Sequence, residues 1–177
     1  MSLVVALLGA ESTGKTTLVR ELSRILSSRG LDAVMVPEAL RLFCDQAGRT
    51  PLPHEQVGIA AEQSRLIDAA RSQHQIVLAD TSAVMIAVYS DYLFNDQSVY
   101  AQAERDHAQA SMTLLTSLDL AWTPDGLQRD GPHVREPVDA LIRASLQRIG
   151  QPYAIVAGQG VSRIQHALSA IEHLLDA

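Results

Sequence analysis

The segment Gly9-Ala10-Glu11-Ser12-Thr13-Gly14-Lys15-Thr16 has the residue types and spacing that a polyphosphate requires. Gly9 and Gly14 let the backbone curl until successive N–H groups point inward at phosphate oxygens, and a helix starting at Lys15 adds its positive end. Within this P-loop pattern Glu11, Ser12, Thr13 and the adjoining Thr17 complete the cradle. Lys15 is expected to reach the β- and γ-phosphates, and the Thr16 hydroxyl to coordinate Mg²⁺. Asp80 closes the apolar run Ile76-Val77-Leu78-Ala79 where a second magnesium-holding group is expected, either direct or through water.

A phosphate loop alone does not separate a kinase from a GTPase or a motor ATPase. Other polar positions narrow the choice. No Asn-Lys-x-Asp guanine-reading sequence occurs. Glu38 follows a short apolar run, where a carboxylate can lean over the phosphate loop and take the proton of an attacking hydroxyl; the competing role is to favour the start of its own helix. Arg41, one helical turn later, could hold substrate or phosphate. Arg129 and Arg135 bracket Asp130-Gly131-Pro132-His133 in a stretch, residues 123–137, that reads as a lid whose guanidinium neutralises charge on the transferred group while water is excluded. Trp122 precedes it, as core packing or as a stacking surface for a planar ring.

The elements that must position these groups follow from hydrophobic patterning. Short apolar runs at 3–8, 34–36, 76–79, 112–116 and 153–157 read as buried strands, and amphipathic segments between them read as helices. Strand and helix alternate throughout. The expected fold is therefore α/β, a three-layer P-loop NTPase fold with a five-stranded parallel sheet, helices on both faces and the ligand at the carboxyl ends of the strands.

Composition sets limits on partners. The chain has 177 residues, 47% hydrophobic, which suits a single domain spanning 1–177 with no fused second enzyme. A net charge of −6 and 4% aromatic content weigh against a nucleic-acid surface. No apolar run is long enough for a membrane span, no signal peptide is visible and one cysteine precludes an internal disulfide, so a cytoplasmic location is expected. The six histidines lack ligand spacing, which leaves nucleotide-bound Mg²⁺ as the expected metal. Cys44 reads as a packing residue, and Gly158-Gln159-Gly160 either passes close to an adenine or forms a plain turn.

Taken together, the P-loop Gly9 to Thr16, Glu38-Ala39-Leu40-Arg41, Ala79-Asp80-Thr81 and Trp122-Thr123-Pro124-Asp125-Gly126-Leu127 resemble the ribosylnicotinamide kinase domain of NadR-type proteins, over nearly the whole chain. The resemblance implies ATP- and Mg²⁺-dependent phosphorylation of the 5′-hydroxyl of nicotinamide riboside, in the context of NAD biosynthesis, with Trp122 near the nicotinamide ring. The chain departs from the family at Ser82, where a second aspartate is usual; Asp125 is the carboxylate that could stand in for it. The rival reading is an ATP-binding regulatory module in which occupancy orders the 123–137 loop for a partner. Oligomeric state is open.

Overall fold

The structure, a computed structural model, describes residues 2–124 and 130–175. Five strands, β1 (Leu3–Leu8), β2 (Ala33–Val36), β3 (Ile76–Asp80), β4 (Met112–Thr116) and β5 (Tyr153–Val156), form one sheet in the order β2-β3-β1-β4-β5. All neighbours are parallel. Parallel pairing requires long crossovers, and each crossover here contains at least one helix. The helices are α1 (Lys15–Ser28), α2 (Ala39–Ala47), α3 (Gln56–Arg71), α4 (Ala83–Phe94), α5 (Tyr100–His107), α6 (Arg135–Ile149) and α7 (Gly160–Leu175).

Alternation along the strands feeds a core on each face of the sheet. Val5 and Leu7 of β1, Ile76 and Leu78 of β3 and Leu114 of β4 pack with Leu18, Leu22 and Leu26 of α1 and Ala167 and Ile171 of α7. On the opposite face Leu8 and Leu115 meet residues of α3, α4, α5 and α6, while Val4, Val36, Val77 and Ala79 pack against Leu66, Ile67 and Ala70 of α3. The α4 sequence is apolar nearly all round, and the helix is correspondingly enclosed by α3, α5 and α6.

Register brings the functional positions to one edge. Leu7 pairs with Asp80 and Val36 with Ala79, so Gly9, Glu38 and Asp80 all emerge at the carboxyl ends of three adjacent strands. Two helices are shifted from the periodicity reading. The late loop ends early, because residues 132–134 make a tight 3-10 turn and α6 begins at Arg135. Ahead of β4, hydrophobic patterning predicts a helix over 99–110; the helix is shorter, Tyr100–His107, and closes in turns through Ala108 and Ala110. No described helix is long and apolar enough to cross a membrane.

Candidate active site

The phosphate loop connects β1 to α1. Gly9 has φ +156°, and a Cβ there would meet the Thr13 hydroxyl at 2.9 Å and run into the Thr116 hydroxyl, so the close approach itself demands glycine. Gly14, at φ +76°, begins α1, and no side chain caps the first turn. Its N–H groups are consequently available to an anion. Thr13 turns its hydroxyl inward, donating to the Ala10 carbonyl at 2.8 Å and meeting the Thr116 hydroxyl at 2.7 Å. Its side chain thus braces the loop from within. Ser12 accepts the Thr123 N–H at 2.8 Å.

Lys15 arches over the loop and donates to the carbonyls of Gly9 at 2.8 Å and Ala10 at 3.1 Å. The Thr16 hydroxyl donates to Asp80 Oδ2 at 2.5 Å. Asp80 is only 2% exposed, and its other oxygen, Oδ1, has no hydrogen-bond partner among the described residues. An orphaned carboxylate oxygen is costly unless something cationic completes it. Thr16 and Asp80 therefore fit a hard divalent cation, although the described residues contain no cluster of three or more metal-ligating side chains. Thr81, which follows, has φ +85°, an unusual conformation for a β-branched residue, and its N–H closes a tight turn onto the Ala79 carbonyl at 2.9 Å. This bend fixes the end of β3 under the loop.

Lys15 and Thr16 border a cavity of about 420 Å³; Asp80 does not line it and sits behind Thr16, which it holds. One wall is Glu11 to Thr17; the others bring Glu38 and Arg41 from the start of α2, Arg20 from α1 and an apolar patch of Met85, Tyr89, Leu93 and Phe94 from α4. Glu38 precedes the first residue of α2, and its side chain does not cap that helix. That task falls to Gln63, fully buried in α3, which accepts the Ala39 N–H at 2.7 Å and donates to the Pro37 carbonyl at 3.3 Å, gripping the backbone on both sides of Glu38. Tyr89 lies among carboxylates. Burial pushes its phenol well above the ordinary range, and the charges of Glu11, Glu38 and Asp130 push it further, partly offset by a Glu11 backbone hydrogen bond. Burial, with Glu38 and Asp45 nearby, likewise raises the Cys44 thiol, a buried side chain on the cavity wall.

Two expectations about the 123–137 region and its approach meet a different geometry. Arg135 is not on a mobile loop; it opens α6, is 8% exposed, donates to the Leu120 carbonyl at 2.8 Å and does not line the cavity. Trp122 is half-buried and also off the cavity, because its neighbours Ala121 and Thr123 are drawn along Ser12. Asp125 and Arg129 lie outside the described residues. Asp130 does reach the cavity, and the Gly131 N–H donates to Glu11 at 3.2 Å, tying the foot of this segment to the phosphate loop. Ser82 faces away: it caps α4 and pairs with the buried His107 at 2.8 Å.

Sequence reading missed Arg20, Gln56 and Tyr89. Arg20 follows Thr16 by four residues, on the same face of α1, which was a usable signal. Gln56 is 3% exposed, lines the cavity and makes no side-chain hydrogen bond among the described residues; nothing in its sequence context marked it.

Sheet order, phosphate loop and Asp80 together define a P-loop NTPase of the kinase-like α/β architecture. A family model described as "AAA domain" matches residues 4–163, and the chain belongs to that family. No curated protein matches significantly in sequence. Among solved structures, the chain is similar to NadR protein in complex with NAD and AMP-PNP (TM-score 0.76, 21% identity, 99% of this chain and 50% of that one). It is similar also to NadR protein in complex with NR (TM-score 0.78, 21% identity, 97% and 50%). Thymidylate kinase from Ehrlichia chaffeensis matches over 98% of both chains, with TM-score 0.69 and 16% identity. The chain thus spans about half the length of the NadR structures, and at these identities the likeness is one of fold.

Proposed function

We propose that the protein is an ATP- and Mg²⁺-dependent kinase acting as one catalytic unit over 1–177, which transfers the γ-phosphoryl group of ATP to a nucleoside hydroxyl. The 5′-hydroxyl of nicotinamide riboside is the leading acceptor, which would give the enzyme a part in NAD biosynthesis in the cytoplasm. The observation that carries this reading is a single cavity in which a phosphate loop, the Glu38 carboxylate and an apolar patch face the same space. A carboxylate beside the loop also serves an ATPase, where it orients attacking water; the apolar lining next to it is what favours an organic acceptor.

The α1 amides would hold the β-phosphate, and Lys15 would exchange the Gly9 and Ala10 carbonyls for phosphate oxygens. Thr16 and Asp80 would hold Mg²⁺, which when bound neutralises charge on those oxygens. Glu38 would accept the acceptor hydroxyl's proton as its oxygen bonds to phosphorus and the bond to ADP breaks. Arg41 and Arg20 supply positive charge at the cavity wall, and Tyr89, protonated throughout the working range, can donate to the acceptor. The motif around Trp122 and the NadR likeness support nicotinamide riboside; the loss of the aspartate at Ser82 and the position of Trp122 make acceptor identity the point to test.

Glu38→Gln keeps size and loses basicity. It should lower kcat by about a hundredfold or more while ATP affinity changes little. Equal losses in both would assign Glu38 to binding.

A further inference from the structure

Arg163, in the first turn of α7, is 5% exposed and does not line the cavity. Its guanidinium nevertheless joins three loops. One terminal nitrogen donates to the Thr13 carbonyl at 2.6 Å and to the Ser117 carbonyl at 3.4 Å. The other donates to the Gly158 carbonyl at 2.9 Å and to Asp119 Oδ1 at 2.8 Å. Asp119 in turn accepts the Ser117 hydroxyl at 2.5 Å and the Gly158 N–H at 2.6 Å. Burial alone would push the Asp119 carboxyl up; the hydrogen bonds from Ser117, Gly158 and Arg163 override it and hold the group at about 2, so the pair stays charged.

Asp119 is 37% exposed, so solvent screens the pair and its attraction alone adds little stability. Geometry gives this one a purpose. A planar trans peptide sends its C=O and N–H to opposite sides. Pinning the Thr13 carbonyl to Arg163 therefore turns the Gly14 N–H away from Arg163, toward the side on which Gly14, Lys15 and Thr16 border the cavity. Behind Gly14 there is no slack, because a Cβ there would meet Leu120 at 3.0 Å and Arg163 at 3.9 Å.

We propose that Arg163, braced by Asp119, is a positioning residue for the phosphate loop: it orients the Thr13–Gly14 peptide for a nucleoside polyphosphate and couples that orientation to the 117–120 segment. This rests on the nucleotide-binding reading above. Arg163 touches no phosphate itself and acts through Thr13.

The test compares ADP with adenosine, which lacks every phosphate. Arg163→Lys keeps the charge but cannot serve four acceptors from one ammonium, and Arg163→Met keeps the stem. Calorimetric and competition titrations should give an ADP Kd raised about tenfold or more in both variants, with adenosine affinity within about twofold of wild type. The KM for ATP should rise in parallel, and kcat at saturating ATP should hold. Wild-type affinity for ADP in variants that have lost only thermal stability would make Arg163 a plain structural brace and overturn the proposal; so would equal losses for ADP and adenosine. If neither Arg163 variant folds, Asp119→Asn decides, with a smaller rise in ADP Kd of about threefold expected and no change contradicting it. Failure of the wild-type protein to bind ADP at all would remove the nucleotide reading instead, and is separable because it precedes any substitution.

Discussion

Lys15 illustrates how the site stores its function in single residues. It donates to the carbonyls of Gly9 and Ala10, an internal contact that a triphosphate would replace with stronger charge-assisted hydrogen bonds. With the ammonium removed the Ala10 carbonyl still accepts the Thr13 hydroxyl at 2.8 Å, and no core packing is lost, so the fold should persist. For Lys15→Ala the expected outcome is a loss of ATP-dependent turnover of about a hundredfold or more, with an unchanged thermal transition. Retained turnover would remove Lys15 from the mechanism. Thr16 and Asp80 were legible because the motif fixes one and the end of an apolar run fixes the other. The inward turn of the Thr13 hydroxyl and the buried position of Arg135 were not, since each depends on contacts with Thr116 and Leu120 that are distant in sequence.

Among the elements, α4 and α5 contain the most informative polar contact outside the cavity. His107 of α5 bridges the Ser82 hydroxyl at the head of α4 and the Thr113 hydroxyl of β4, each at 2.8 Å. Burial holds its imidazole neutral, with the pKa lowered from 6.5 to about 4. Below pH 6.5 the unfolded chain takes up a proton that the folded one refuses, so this residue's contribution is complete above pH 6.5 and lost as pH falls toward 4. The loss is about 3 kcal/mol at most. Urea denaturation between pH 7.5 and pH 4.5 should show wild type losing more stability than His107→Gln by up to about that amount. Parallel pH profiles would mean that His107 is not buried as a neutral base. Secondary structure here was largely readable, because buried strands are short apolar runs and the helices have periodic faces. What α4 brings to the cavity was not readable: its sequence is apolar on every side, and only the packing of α3, α5 and α6 decides that Tyr89 and Phe94 face the ligand space.

For the whole molecule, the sheet order makes the chemistry possible. Placing β1 beside β3, and β3 beside β2, brings together the phosphate loop, Asp80 and Glu38, which lie far apart in the chain. Alternating strands and helices implied a parallel sheet but not which strands are neighbours, so the cavity wall contributed by Gln56 and α4 lay beyond the sequence. The net charge of −6 is likewise a sum that hides local structure: Lys15, Arg20 and Arg41 line the same cavity as Glu11, Glu38 and Asp130. Such a mixed site suits an anionic donor lying next to a neutral or cationic acceptor. The central claim is transfer to an acceptor, and the most direct measurement is ADP release from ATP and Mg²⁺ with and without a panel of nucleosides that includes nicotinamide riboside, with the phosphorylated product identified by mass. The account predicts that one nucleoside, nicotinamide riboside first among them, stimulates ADP release and gains one phosphoryl group per ADP formed. ATP binding with no acceptor-dependent turnover across the panel would contradict it and favour a nucleotide-dependent regulatory module.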